Sequence, residues 1–358
     1  MSIYESRLQA DEEHIKERIA TMGKAVQVAI ASSVSCLLNG DRAGSYELIL
    51  GDLPINRESR AIDALCHAFV ARHLPSAGHL RFVSSVMRLN TALERVGDYA
   101  VTICREAVQL EQQVPKSLTS QLTALSEEAC EILEAAMNAF LQGDEALASA
   151  SKKRAANLSS DYDEIFRALS DEQVSRPMKE LFALMSVFTK LERVSDQAKN
   201  ICEDAMFAAS GRTKPPKQYR VHFVDARNTT FGPLAVAIAK KVRPESGIYS
   251  TSGFAPGESL SPEMIEVAET MGVALNGLKP EALVTDVGAL ADHHVIVGLE
   301  PNVGTHIPEV PFQTVYLEWT LPALAEGGNL QDNLQAVARD LSAKISDLML
   351  LMRGEEHI

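Results

Sequence analysis

Residues 93–104 read LERVGDYAVTIC and residues 191–202 read LERVSDQAKNIC, one pattern, L-E-R-V-x-D-x-A-x-x-I-C, written twice. Within each copy the two acids stand four residues apart, Glu94 with Asp98 and Glu192 with Asp196. On a helix that spacing puts both carboxylates on one face. The repeat extends outward. NGD at 39–41 and QGD at 142–144 each follow an apolar run with helical spacing. Glycine is the expected stop for such a helix, and Asp41 or Asp144 can cap the next one. The two GD stops are 103 residues apart and the two LERV motifs 98, so the chain reads as an internal duplication with a small deletion.

From residue 5 to about 210 the apolar residues recur in three- and four-residue steps. Each copy holds about three long helices, too amphipathic to stand singly, which predicts bundles over residues 1–112 and 113–210. GRTKPPKQ at 211–218 breaks the pattern and reads as a linker. Residues 219–358 then change in kind. YRVHFVDA (219–226), HHVIVGLE (293–300) and FQTVYLEW (312–319) are strand-like, whereas LAVAIAKKV (234–242), LSPEMIEVAETMGV (260–273) and the run 329–354 are helical. Alternating strands and helices predict a small parallel-sheet α/β domain. The expected fold is therefore α plus α/β: two tandem three-helix bundles, then the sheet domain.

Composition narrows the function. The chain has 358 residues, 46% apolar and 23% charged, with a formal net charge of −14. That charge argues against nucleic acid and against electrostatic docking on anionic lipid. The polar, acidic N-terminus is no signal peptide, and the uncharged stretch 25–38 is too short to span a bilayer, so no membrane insertion is expected. Five scattered cysteines, all before residue 203 and without a C-x-x-C, predict a reduced cytoplasmic protein.

Like charges at i, i+4 destabilise a helix unless a cation sits between them. A metal ion on oxygen ligands is one reading of the repeated acids. Surface ion pairs with Arg95 and Arg193 are the other, and the two stand about level. At this point the chain resembles the PhoU family of phosphate-uptake regulators. The repeated LERVxD segment is similar to the family's E-R-I-G-D motif, and GDLPINRESRAIDALCHAFVARHLPSAGHLRFV (51–83) resembles its first-repeat pattern. The resemblance covers roughly residues 1–210. It implies metal sites built from paired acidic motifs, with iron, zinc, manganese or magnesium as the ion. It also implies a phosphate ABC importer and a phosphate-sensing histidine kinase as partners, and it allows a homo-dimer.

Carried onto this sequence, the resemblance offers Asp52 with Asn56 facing Glu94 with Asp98, and Thr102 where the family often has Asn. Pro54 inside the first pair is expected to disturb its helix. In the second copy Glu192, Asp196 and Asn200 match, but their partner positions fall on Ala155 and Ser159, with Asp161 and Asp163 nearby in another register. A thinner second site is expected.

VHFVDARNTTFGPLAVAIAKK (221–241) resembles the phosphate-binding loop of low-molecular-weight protein tyrosine phosphatases and arsenate reductases. That resemblance implies a strand, an oxyanion-cradling loop and a helix N-terminus. The loop here is Asp225, Ala226, Arg227, Asn228, Thr229, Thr230, Phe231. Asp225 stands at the nucleophilic cysteine and Phe231 at the clamping arginine, while Asn228 and Pro233 keep the pattern. A carboxylate repels phosphate, Phe cannot clamp it, and no cysteine follows residue 202, so thiolate chemistry is excluded. His293 and His294, beside Asp292, are read as structural before metal-binding, and Trp319 as core. The expected function is a non-catalytic, metal-binding PhoU-type regulator whose last domain senses a ligand or mediates assembly. The alternative is a carboxylate-bridged metal-dependent hydrolase or redox enzyme, weakened because no His accompanies the LERV motifs.

Overall fold

The computed structural model describes residues 3–158, 176–211, 217–275, 277–322 and 330–353. The chain divides into two compact units, Met1–Lys214 and Pro215–Ile358.

The first unit is helical: α1 (Ile3–Asn39), α2 (Arg42–His73), α3 (Ala77–Gln109), α4 (Lys116–Gln142), α5 (Glu145–Leu158) and α6 (Met178–Ser210) among the described residues. Its boundaries follow from local chemistry. Gly40 and Gly143 take the left-handed conformation that stops α1 and α4, at φ 65° and 66°. Asp41 Oδ1 then accepts the Gly44 amide at 2.9 Å, and Asp144 Oδ1 accepts those of Ala146 and Leu147 at 2.9 Å.

The apolar letters of the repeated motif make the core. Leu93, Val96 and Ile103 on α3 and Leu191, Val194 and Ile201 on α6 are fully buried, within one hydrophobic cluster contributed by both copies. At about 1.5–3 kcal/mol for each fully buried large aliphatic side chain, this shared cluster dominates the unit's stability. α3 also packs on α1 and α2, and α6 on α4 and α5, so the two copies form one continuous core. α1 is long and apolar enough over part of its length to cross a membrane by composition, yet Ile15, Ile19, Met22, Val26 and Ile30 pack into this cluster.

Pro54 does not break α2, which runs through it. The carbonyl it deprives of a donor belongs to Leu50, on an exposed stretch where water can serve.

The second unit is a four-stranded parallel sheet, ordered β2-β1-β3-β4, from β1 (Tyr219–Asp225), β2 (Gly247–Gly253), β3 (Val295–Gly298) and β4 (Val315–Glu318). Val221 and Phe223 face a core with α7 (Phe231–Val242), α8 (Pro262–Met271) and α10 (Leu330–Arg353). Val224 and Ile296 face a smaller core with Leu290 of α9 (Val287–Ala291), Val303 and Ile307. β2, GIYSTSG, carries no apolar run that announces a strand. Its serines are explained by a neighbour: Ser250 and Ser252 hydroxyls bond the two ring nitrogens of His222 on β1, each at 2.7 Å.

Candidate functional site

α2 and α3 bring the first acidic set to one patch. Asn56 Nδ2 donates to Asp52 Oδ2 at 2.5 Å, which leaves Asp52 Oδ1 and Asn56 Oδ1 buried with no hydrogen-bond partner. The close approach is set by Gly97: a Cβ there would lie 3.2 Å from Asp52 Oδ1. Burial raises the Asp52 carboxyl above its ordinary range, and the neighbouring Asp98 raises it further. Burial likewise raises Glu94, with Asp98 and then Asp52 adding to the effect. Each of these three acids thus lies in the field of another, without a compensating ion pair among the described residues. No three His, Cys, Asp or Glu side chains among the described residues stand in metal-holding geometry, so the acids face one patch without converging on a point. Two buried acceptor oxygens lacking donors are nevertheless the arrangement a cation would complete. Thr102 turns its hydroxyl to the Asp98 carbonyl at 2.9 Å.

The second copy differs. Burial and Asp196 raise Glu192, but Arg193 Nη1 lies 3.5 Å from Asp196 Oδ2, the surface ion pair that was the other reading of these acids. Ala155 is buried on α5 and offers no ligand, while Ser159, Asp161 and Asp163 lie outside the described residues. Asn200 is exposed on α6 and lines a different cavity, with Arg88 and Arg95 of α3.

In the sheet unit, the loop 225–231 sits at the C-terminal end of β1, between β2 and β3, where sheets of this order bind ligands. Its own chain occupies its amides. Asp225 Oδ1 accepts the Asn228 amide and Oδ2 the Gly232 amide at 2.8 Å, while Glu300 accepts the Ala226 amide at 2.8 Å. Asn228 adopts the left-handed conformation (φ 52°), and its Oδ1 accepts from Thr251 Oγ1 at 2.8 Å. Burial pushes Asp225 up to about 6, partly countered by those amides. A cavity of about 270 Å³ opens here, lined by Arg227, Thr229, Thr230 and Phe231 together with Asp225 and Glu300.

His293 and His294 flank the start of β3. His294 accepts the Arg220 amide on Nδ1 at 3.0 Å, and His293 stacks on His222 at 4.5 Å. Burial lowers His222 to about 3, and the neighbouring His293 adds to the effect. The sequence reading missed His222, because its partners are serines on a strand that itself carried no signal.

Residues 3–211 therefore define a duplicated helical module with an acidic face in each copy. The PhoU domain profile matches residues 19–107 and 122–205, the two copies found from the LERV motifs, and the N-terminal unit belongs to the PhoU family. The Escherichia coli (strain K12) phosphate-specific transport system accessory protein PhoU is 27% identical over 205 residues, covering 57% of this chain and 85% of that protein. The crystal structure of PhoU from Pseudomonas aeruginosa aligns at TM-score 0.54 and 25% identity, over 57% of this chain and 99% of that one. A solved structure titled an arsenate reductase in the phosphate binding state aligns at TM-score 0.31 and 18% identity, over 37% of this chain and 98% of that one.

Proposed function

We propose that the chain is a PhoU-type cytoplasmic regulator of phosphate uptake that works by binding rather than catalysis. The two PhoU domains carry this reading. In it, the helical unit contacts the components its relatives are named for, a phosphate-specific transport system, and a phosphate-sensing kinase. Asp52, Asn56, Glu94 and Asp98 would hold a divalent or trivalent ion on their oxygens, and Glu192 and Asp196 a weaker one. Such an ion would supply positive charge that ties α2 to α3. Without it the raised carboxyls relieve their mutual repulsion by taking up protons.

For the sheet unit the reading is a non-catalytic loop. The groups that would cradle an oxyanion already bond Asp225 and Glu300, and neither carboxylate is a competent nucleophile toward a phosphoryl group that it repels. The test is genetic and quantitative. Deleting the gene should disturb the dependence of phosphate uptake on external phosphate, and the wild-type chain should restore it. Unchanged uptake in the deletion strain would remove the regulatory reading.

A further inference from the structure

A cavity of about 420 Å³ lies between α3 and α6, apart from both acidic patches. Its wall is built from both copies, with Ala92 and Arg95 on one side and Gln197 and Asn200 on the other. Two of its ion pairs are closed: Arg88 Nε lies 2.5 Å from Asp204 Oδ1, and Lys152 Nζ lies 2.8 Å from Glu203 Oε1. That leaves the Arg95 guanidinium, which among the described residues has no ion pair or hydrogen bond. Gln197 is only 7% exposed, yet its carboxamide has no hydrogen-bond partner among the described residues. A nearly buried amide left unbonded costs about 1–3 kcal/mol, so its retention calls for a partner from outside the chain.

The duplication supplies an internal control. The counterparts of Ala92, Arg95 and Gln197 in the other copy are Lys190, Arg193 and Tyr99. There Lys190 Nζ covers the Tyr99 ring at 5.5 Å from its centroid, and Arg193 turns to Asp196 at 3.5 Å. Aromatic and lysine fill one place, and the arginine is consumed. In the cavity, alanine and glutamine leave the space open and the arginine free. Only one of two equivalent places has been emptied and furnished with donors.

We propose that this cavity binds a phosphate group, with the Arg95 guanidinium making the charged contact and the Gln197 and Asn200 carboxamides donating to the remaining oxygens. One uncompensated cation and two carboxamides are the chemistry of a compact oxyanion site. That the oxyanion is phosphate rests on the reading of this unit as a phosphate-uptake regulator. Lying across the seam between the copies, the bound anion would couple α3 to α6.

The test is calorimetric titration of the full chain with inorganic phosphate, glycerol phosphate and sulfate. Arg95→Gln and Gln197→Leu should each weaken phosphate binding about tenfold or more, the value of one charge-assisted hydrogen bond. Ala92→Lys with Gln197→Tyr, which installs the other copy's residues, should abolish it. Arg193→Gln should leave it unchanged, and circular dichroism should confirm that each variant is folded. Tighter binding of glycerol phosphate than of inorganic phosphate would make the ligand a phosphorylated metabolite, and the reverse order would make it the free ion. Sulfate bound as tightly as phosphate, with the same losses in the variants, would keep the oxyanion site and overturn phosphate as its ligand. Phosphate affinity unaffected by Arg95→Gln and Gln197→Leu, or no oxyanion bound at all, would overturn the site itself, whatever the uptake phenotype.

Discussion

The Asp225 carboxylate accepts the Gly232 amide at 2.8 Å, from the strand end to the first turn of the following helix. A side chain thereby closes, from within, a loop whose amides would otherwise face a ligand. Because that carboxylate is buried, its ionisation is tied to the stability of the sheet unit.

Two buried groups there give opposite pH dependences. Asp225 is raised from 3.8 to about 6, so the folded state binds its proton more tightly, and its contribution to stability grows as pH falls from 6 towards 4. His222 is lowered from 6.5 to about 3, so its contribution is complete above 6.5 and is lost as pH falls through that range. Asp225→Asn should therefore steepen the acid loss of stability, by about 2 kcal/mol between pH about 7 and about 4.5, and His222→Asn should flatten it. Urea unfolding of the full chain, followed by fluorescence of its single tryptophan, reads this out. Trp319 packs 6.0 Å from Phe223 in the sheet unit's core. Equal pH slopes in wild type and both variants would contradict the assignment.

The metal reading ranks the two copies. Glu94→Ala with Asp98→Ala should lower bound metal more than Glu192→Ala with Asp196→Ala, measured by elemental mass spectrometry on the purified chain. Since Asp52 and Glu94 are both raised, protons compete with the ion, and metal affinity should fall as the pH is lowered. Greater loss from the second pair would reverse the ranking.

A shared core predicts shared unfolding. Leu93 and Leu191 are fully buried, one in each copy. Replacing either with Ala should cost about 2–5 kcal/mol. The helical signal in circular dichroism should still melt in one transition for that unit, not in two halves. Separate transitions for the two copies would show that the core is not continuous in energy.

The cysteines should be inert. Burial pushes Cys66, Cys104 and Cys202 up to about 12 and Cys130 to about 11, while Cys36 is raised less and is half-buried. A thiol reagent at mildly alkaline pH should modify Cys36 first and the other four only after denaturation.

Catalysis should be absent from the loop. Aryl phosphates, and arsenate with a thiol reductant, should show no turnover by the full chain above buffer. Turnover that Asp225→Ala abolishes would make the carboxylate a catalytic residue.

The duplicated helices, their glycine stops and aspartate caps, and the α/β character after residue 218 were written in the sequence. Each depends on neighbours a few residues away: a periodic apolar face, a left-handed glycine, a carboxylate three residues from an amide. The missing nucleophile was equally legible, because Asp225 has no sulfur in any fold. Tertiary structure decided what depends on distant partners. It joined the two copies into one core through α3 and α6, and carried α2 through Pro54 at an exposed carbonyl. It placed β2's serines under His222, and gave Arg193 a carboxylate while leaving Arg95 none. Two identical Glu-Arg pairs, Glu94-Arg95 and Glu192-Arg193, thus meet different surroundings, because hydrogen bonding and desolvation are set by what packs across the helix and not by the motif itself.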